Sequence, residues 1–483
     1  MGLQVGNTEI GTLYLGATRI HEAYLGNVKL FESDWIDPNP LGLPAYTMRF
    51  QFGDSSYDPN SGSWKSGATW TQVSSSPNVW DYTHETNDWS EEFKDDFASL
   101  RNQVRVLGAN FSGVTQAYRL FKGCSGLVEI PYFDTSDIGN ASQMLSGTGI
   151  VSSPTFHLGN CQNLSGMFEG CTSLASVGMI NAASALYVDD LFRDCTSLVS
   201  IAPLDLSSAS SLANLCLNCS SLVTSPTIST SSSLTYIGGA FKGCSRLSTL
   251  SVFNTHNVTS ASDTFYGCAA LVNFPAFDFY SLANASNLFQ NCSSLESIDP
   301  SVDFYSVTNA SYMFCGCSSL ASLPSTFSMP YVTSTHHMFT DCTSLLTIPS
   351  GIGFGLVSLA HNMFEGCSSL TGIPSSVSFA SLTNGFSMFY GCSSLGSVPA
   401  ISSTGISNCQ WMFRDCRNVA SGALDLYTHM STQQTPPTSY DWCFYHCGDQ
   451  TQTGAQDLES IPTSWGGTMV VQGPHPAEGV EFD

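Results

Sequence analysis

The sequence predicts a solenoid, in which the chain winds into a stack of short coils, with a small β-rich region before the first coil. Three observations lead to this fold class. A cysteine-containing motif recurs at intervals of 24 or 25 residues through much of the 483-residue chain, hydrophobic residues make up 42% of it, and charged residues make up only 11%. A chain of this length would ordinarily form about two to four domains, but a repeat array lengthens without enlarging its core.

The repeat is centred on a cysteine, from which positions are counted below. A large apolar residue and phenylalanine usually occupy −4 and −3, and leucine occupies +3 in most copies. Thirteen of the 18 cysteines fit this pattern, and Thr148 holds the cysteine position in a degenerate copy. Stacked coils would place like residues above one another, so the sequence predicts core columns that include Phe168, Cys171, Leu174, Phe192, Cys195, Leu198, Phe314, Cys317, Leu320, Phe339, Cys342, Leu345, Phe364, Cys367 and Leu370.

Each copy predicts two pieces of local structure. The segment S-L-x-x-I/V indicates one short parallel strand per coil, often ended by proline because proline cannot donate to the ladder. The segment M-F-x-G-C indicates a helical or 3₁₀ turn on the opposite side. Cysteine suits a buried column as a small hydrophobe, and neighbouring thiols should stay reduced and unpaired. Asparagines at −8, such as Asn163 and Asn309, are expected to satisfy buried backbone groups along the column.

The unit M-F-x-G-C-S-S-L-x-S-I-P resembles the BspA-type leucine-rich repeat. The resemblance covers residues 106–465 and implies a right-handed solenoid of about 14 coils. It also implies a role in adhesion or partner binding without a family-wide active site.

Residues 1–33 hold a second repeat, in which glycines ten residues apart lie between short alternating segments. This pattern predicts three small β-hairpins, which cannot bury a core alone and would pack against a partner. The Y-L-G-x-x-x-I decads resemble those of bacteriophage tail and other virion structural proteins, which implies attachment to a virion. The candidate attachment residues are Gly6, Gly16, Gly26, Tyr14 and Tyr24.

Residues 34–105 are rich in aromatic side chains and predict a small β domain that caps the solenoid. AYTMRFQF reads as a strand, GATWTQVSSSPNVWDYT as strand, turn and strand, and WSEEFKDDFASL as a short helix capped by Ser90. The alternative is a carbohydrate site built on exposed tryptophans. At the other end, residues from 440 onward are expected to cover the last coil, with 466–483 as a tail.

The search for chemistry in the sequence favours structural roles over an active site. The net charge of −24 argues against nucleic acid or anionic lipid as a partner, and no apolar stretch predicts membrane insertion. Two local clusters have alternative readings. His336, His337 and His361 could form either a zinc site or a ladder of surface side chains. Asp189, Asp190 and Asp194 could form either a paired-carboxylate site or a solvated acidic face. The second reading is favoured in each case, so no catalytic, cofactor-binding or metal-binding residue is predicted.

The sequence therefore predicts a structural, non-enzymatic protein of a bacteriophage virion. It would be assembled in the host cytoplasm without a signal peptide and would act as a fibre or decoration module. The N-terminal hairpins would contact other virion proteins, the solenoid would contact a host surface glycan or protein, and the chain would form a homo-oligomer, with a trimer expected. The alternatives are a bacterial cell-surface adhesin and a polysaccharide-degrading enzyme.

Overall fold

The computed structural model describes residues 39, 41–61, 68–94, 96 and 103–467, together with the backbone of six short strands between residues 3 and 32. These strands form three antiparallel hairpins, β1–β2, β3–β4 and β5–β6. Their bounds are β1 Leu3–Val5, β2 Thr8–Ile10, β3 Leu13–Leu15, β4 Thr18–Ile20, β5 Glu22–Leu25 and β6 Val28–Glu32. Gly6, Gly16 and Gly26, the side chains of Tyr14 and Tyr24, and residues 468–483 lie outside the described part of the chain.

A five-stranded sheet precedes the solenoid and joins its first coil. Its strands are β7 Thr47–Phe52, β8 Thr69–Ser75, β9 Asn78–Thr83, β10 Val104–Asn110 and β11 Leu127–Glu129, in the order β11-β10-β7-β9-β8. All pairs are antiparallel except β10–β11, which is parallel and brings in the first strand of the solenoid. Trp70, Trp80 and Trp89 are buried in the core below this sheet, so they do not form an exposed carbohydrate platform.

The prediction of a short helix in WSEEFKDDFASL is wrong for the part of this segment that the structure describes. Residues 90–94 and 96 form turns, and the backbone N–H groups of Glu91 and Phe93 donate to the carbonyls of Tyr118 and Leu120 in the next coil. The segment is therefore an early rung of the solenoid, because its N–H groups bond across coils instead of along a helix. Ser90 does not cap a helix; its backbone N–H donates to the carboxylate of Asp88 at 2.9 Å.

Short parallel strands form two lines along the first coils. One line lies where S-L-x-x-I/V predicts it, and the second lies a few residues later in the coil. The first line contains β12 Ser152–Ser153, β14 Ser176–Val177, β16 Ser200–Ile201, β19 Asn273–Phe274 and β20 Ser297–Ile298. The second contains β13 Phe156–His157, β15 Ile180–Asn181, β17 Leu204–Asp205 and β18 Ile228–Ser229.

Proline limits these strands in the later coils. The N–H of Gly178 donates to Ser153 and that of Ala202 donates to Val177, which extends the pairing by one residue. Pro324 and Pro349 occupy the equivalent position in later coils and have no N–H to donate. Single parallel bridges also join neighbouring coils from Asp88 onward, and in the described coils beyond residue 300 they continue without these strands as far as Ser439.

The M-F-x-G-C segments form successive tight turns, which confirms the turn and excludes the helix. In one coil the N–H groups of Met167 and Cys171 close turns onto Leu164 and Phe168, at 3.0 and 3.1 Å. The N–H groups of Phe168 and Gly170 donate to Leu191 and Arg193 in the next coil, at 3.0 and 2.8 Å. The N–H of Glu169 between them closes a turn onto Gly166. This alternation requires a left-handed backbone at −5 and −1, as at Gly166 (φ 60°) and Gly170 (φ 71°).

The predicted columns form the core of the solenoid. Phe314, Phe339 and Phe364 stack with ring centroids 5.5 and 5.3 Å apart, and their planes are nearly parallel. The cysteine column has a polar role that the sequence did not predict. The thiol of Cys342 donates to the carbonyl of Phe314 in the preceding coil at 3.1 Å, and the other column thiols from Cys171 to Cys416 make the equivalent bond. All 18 cysteines are free thiols.

The asparagines at −8 satisfy backbone N–H groups, as predicted, but they do so mainly within their own coil. The Oδ1 of Asn163 accepts from the N–H of Ser165, and Asn309 makes the same bond to Ser311, at 3.0 and 3.1 Å. An amide contact between coils occurs from Asn309 Nδ2 to Asn284 Oδ1, at 3.3 Å. The side chain therefore fixes the local turn first, because the N–H two residues later is its nearest donor.

The C-terminal end of the solenoid is covered. Two helices, α1 Ala423–Ser431 and α2 Gln452–Glu459, pack against each other beside the last coils. The carbonyls of Ser464 and Trp465 accept from the N–H groups of Trp442 and Phe444, at 3.2 and 2.8 Å. The edge of the last coil is thus paired and does not offer a template for another chain. Neither described helix has the length and apolar character that crossing a membrane would require.

Candidate functional site: an aromatic groove

The left-handed turn position at −5 distinguishes one group of coils from the rest. At −1, every coil from Cys171 to Cys416 has Gly, Asp or Asn, the residues that tolerate a positive φ best. At −5 most of these coils follow the same rule. Among the coils from Cys171 to Cys416, four do not, and they lie close together: Tyr312 (φ 58°), His337 (φ 55°), Ser387 (φ 50°) and Trp411 (φ 58°). Outside that span, the coils of Cys124, Thr148 and Cys447 also have other residues at −5, namely Arg119, Gln143 and Trp442.

The four clustered exceptions line an open groove of about 510 Å³. Side chains at −6, −5 and −2 of successive coils form its walls, and the asparagines at −8 form one rim. The lining residues are Tyr312, His337, His361, Asn362, Glu365, Asn384, Phe386, Ser387, Tyr390, Asn408 and Trp411. The groove therefore exists only because several coils stack in register, and no single repeat contains it.

One wall of the groove is made of stacked rings. His336 and His361 stack at 4.8 Å, and Tyr312 and His337 stack at 4.6 Å. Burial, followed by the neighbouring His361 and His336, lowers the pKa of His337 to about 4. Burial also lowers the pKa of His336 and His361. The three imidazoles are therefore neutral near pH 7, and each presents one donor and one acceptor nitrogen.

The other end of the groove is aromatic. The rings of Phe386 and Trp411 lie 5.5 Å apart at an angle of 37°. Behind them, the guanidinium of Arg414 lies 5.2 to 5.5 Å from the centroids of Tyr390, Trp411, Trp442 and Tyr445. Its side chain is only 15% exposed. The guanidinium makes cation–π contacts with these rings, so its charge interacts with the rings and not with the groove.

Polar groups lie between the two ends. Burial raises the pKa of Glu365, an effect opposed by a hydrogen bond from Asn362 and reinforced by Asp341. The Oδ1 atoms of Asn384 and Asn408 accept from the N–H groups two residues later, at 3.0 Å each. This bonding leaves their Nδ2 groups as donors at the rim. Nδ1 of His361 is buried and has no hydrogen-bond partner.

The residues singled out from the sequence have mostly structural roles. The predicted core residues, from Phe168 to Leu370, are buried in the columns. Within the described residues, no three His, Cys, Asp or Glu side chains are arranged to hold a metal ion.

The acidic cluster also has a structural explanation. Asp190 and Asp194 occupy the left-handed −5 and −1 positions. Asp189 accepts from the hydroxyl of Ser211 and the N–H of Ala213, at 2.7 and 3.1 Å. The two hydrogen bonds that Asp189 accepts therefore stabilise the turns of adjacent coils.

The sequence singled out His337 and His361 of the groove but gave no prediction for its other residues, notably Tyr312, Glu365, Phe386, Tyr390 and Trp411. A signal was present in the sequence. A column that contains Gly, Asp or Asn in every coil from Cys171 to Cys292 contains Tyr, His, Ser and Trp in four of the next five coils. Recognising it requires knowing that this column is left-handed, which the repeat pattern alone does not reveal.

Solved structures that are similar to this chain include two bacterial proteins. The structure is similar to a leucine-rich repeat protein from Eubacterium ventriosum, with 15% identity, 54% of this chain and 76% of that chain covered, and a TM-score of 0.32. It is also similar to a leucine rich cell surface protein from Faecalibacterium prausnitzii, with 19% identity, coverage of 53% and 80%, and a TM-score of 0.27. No curated protein matches the chain.

Two family models match the repeats. The BspA type leucine rich repeat region matches residues 164–285 in six copies, which confirms that resemblance. The resemblance of residues 1–33 to bacteriophage proteins stays a prediction. A second model matches 88–205, 232–351, 283–403 and 322–425, which together make up more than half of the chain. The chain therefore belongs to the family described as Mycoplasma protein of unknown function, DUF285.

Proposed function

We propose that this protein is an adhesion-like binding protein whose solenoid holds a surface ligand in the aromatic groove. The observation that carries the proposal is the presence of Tyr312, His337 and Trp411 in left-handed turns. A non-glycine residue in this conformation costs about 1–2 kcal/mol. Gly, Asn or Asp would lower that cost, as they do in the coils from Cys171 to Cys292. Strained residues that line a groove are typical of binding sites, which supports a functional reason for these three.

The chemistry of the groove favours binding over cleavage. Glu365 is the one carboxylate among the lining residues, whereas glycoside hydrolysis ordinarily uses a pair of carboxyl groups on either side of the bond. The column thiols are buried, and burial raises the pKa of Cys171 to about 11, which keeps it protonated and unreactive. These properties support a binding scaffold more than the polysaccharide-degrading alternative.

Binding of the labelled full-length chain to intact cells tests this proposal. The groove variant would carry Trp411→Asn and Tyr390→Gln, because Asn and Gln occupy the equivalent positions in the coil of Cys292. Tyr266→Gln is the matched control, since Tyr266 occupies the position of Tyr390 in a coil outside the groove. We expect saturable binding by the natural chain, at least a tenfold loss for the groove variant, and no change for the control. Equal binding by all three would contradict the proposal.

A virion role is a second candidate, and the N-terminal hairpins favour it. Their strands repeat with a period of ten residues, as expected for a small attachment module. Mass spectrometry of purified virus particles would detect the chain if it is a virion component, and its presence only in bacterial envelope fractions would favour an adhesin. Native mass spectrometry would test the proposed homotrimer, which a monomeric mass would exclude.

A further inference from the structure

We infer that the groove binds a neutral saccharide, with Trp411 and Phe386 as its stacking platform and Asn384, Asn408 and Glu365 as hydrogen-bonding groups. This inference rests on the proposed function and specifies its ligand class.

The platform provides the apolar half of the site. Trp411 and Phe386 are both half-buried, line the groove, and have ring centroids 5.5 Å apart. The face of an aromatic ring carries partial negative charge. One face of a pyranose presents C–H groups with partial positive charge, so it stacks on such a ring. Arg414 supports the platform, because its guanidinium lies 5.2 Å from the centroid of Trp411 and is enclosed by other rings.

The polar half of the site matches hydroxyl groups, which both donate and accept hydrogen bonds. Asn384 and Asn408 offer Nδ2 donors, since their oxygens are bonded to the backbone. Glu365 offers a carboxylate acceptor, which Asn362 orients by donating to it.

Charge selects a neutral ligand over an anionic one. The lining contains Glu365 and no lysine or arginine, and the whole chain carries a net charge of −24. The nearest guanidinium, that of Arg414, is enclosed by rings and lies 3.5 Å from the Asp415 carboxylate. Phosphate, sulfate and uronic acid groups would meet a negative site without a counter-charge, which disfavours their binding. The volume of about 510 Å³ lies within the usual range for small-ligand sites, about 300–1,000 Å³.

The test is isothermal titration calorimetry of the full chain with neutral oligosaccharides. The probes are gluco-, manno-, galacto- and N-acetylglucosamine oligosaccharides, with a sulfated oligosaccharide as the anionic arm. We expect saturable binding of at least one neutral probe, at least a tenfold weaker affinity for Trp411→Asn, and an unchanged affinity for Tyr266→Gln. Tyr390→Gln provides a second groove variant, and circular dichroism verifies the fold of each. Absence of binding by every neutral probe, preference for the sulfated probe, or full affinity in both groove variants would overturn the inference.

A cell-binding experiment separates this inference from the proposed function. Periodate oxidation of the cell surface destroys vicinal diols of glycans and leaves most protein epitopes intact. If the chain binds untreated cells through the groove and periodate abolishes the binding, the saccharide inference is supported. If groove-dependent binding survives periodate and excess neutral oligosaccharide, the inference fails while the proposed function stands. If the chain does not bind cells at all, the proposed function itself fails.

Discussion

The column of buried thiols makes the stability of the solenoid sensitive to alkaline pH. Burial raises the pKa of Cys171 from its usual 9.0 to about 11 and that of Cys292 to about 12. Burial also raises the pKa of other column thiols, namely Cys195, Cys244, Cys268, Cys317, Cys342, Cys367, Cys392 and Cys447. Unfolding exposes each thiol to water, where it ionises more readily.

The sign and size of the effect follow from these shifts. A folded-state pKa above the unfolded-state value gives full stability below the unfolded value, and that stability is lost as pH rises through the folded value. Near pH 10, a thiol that shifts by two or three units lowers the free energy of unfolding by about 1.4 kcal/mol relative to pH 7. Cys171 and Cys292 together therefore remove about 3 kcal/mol, and the other column thiols whose pKa is raised add to this loss. A typical domain has a total stability of about 5–15 kcal/mol, so the combined effect is large.

Urea denaturation followed by circular dichroism, with a reductant present, measures this effect. We expect the urea midpoint to change little up to about pH 8 and to fall steeply between about pH 9 and 10.5. Cys292→Thr provides the control, because Thr148 already occupies this column and its hydroxyl donates to the Leu145 carbonyl at 2.9 Å. The variant should lose about 1.4 kcal/mol less than the natural chain over the same interval. A midpoint that stays constant to about pH 10.5, or an identical loss in the variant, would refute the reasoning.

Four further predictions concern the turns, the columns, the thiols and the C-terminal cover. Gly391→Ala should lower the free energy of unfolding by about 1–2 kcal/mol, because φ is 74° there, whereas Gly391→Asn should cost less in the same urea titration. Phe339→Ala should cost about 3–5 kcal/mol, since its ring is fully buried between two stacked neighbours, and a conservative Phe339→Leu should cost less. A thiol reagent should modify Cys315 alone in the folded protein and all 18 cysteines in denaturant, because Cys315 is the one half-buried thiol; rapid modification of several thiols without denaturant would contradict this. Trp465→Ala should expose the edge of the last coil by removing the ring that stacks on Tyr440 at 4.5 Å, which light scattering would detect as self-association on heating.

Local pattern was sufficient to predict the main features of the coil. The 24- or 25-residue period places Phe314, Cys317 and Leu320 above their equivalents in the next coil, where they are buried. The strand in S-L-x-x-I/V was also predictable, because a short β-branched segment between turns has few other options. Both features depend on contacts between copies of the same motif, so one repeat contains the information for all of them.

Other features depend on bonds between coils. The segment around Glu91 has a helical composition, but its N–H groups bond to the next coil, and tertiary pairing overrides the local preference. The bond from each cysteine thiol likewise ends on a carbonyl of the preceding coil, and a list of spacings gives no indication of it. The length of the first line of strands depends on whether a residue such as Gly178 still has an N–H where Pro324 has none.

The sequence by itself determined the period, the buried columns and the tight turns, because these arise from interactions that every repeat makes with an identical neighbour. Only the tertiary structure decided where a ligand could bind. Tyr312, Glu365 and Trp411 are separated by about fifty residues at each step and belong to different coils. Stacking brings them to one face, and the left-handed backbone at −5 orients two of them. A site assembled from the irregular positions of several coils becomes visible only once the coils are stacked.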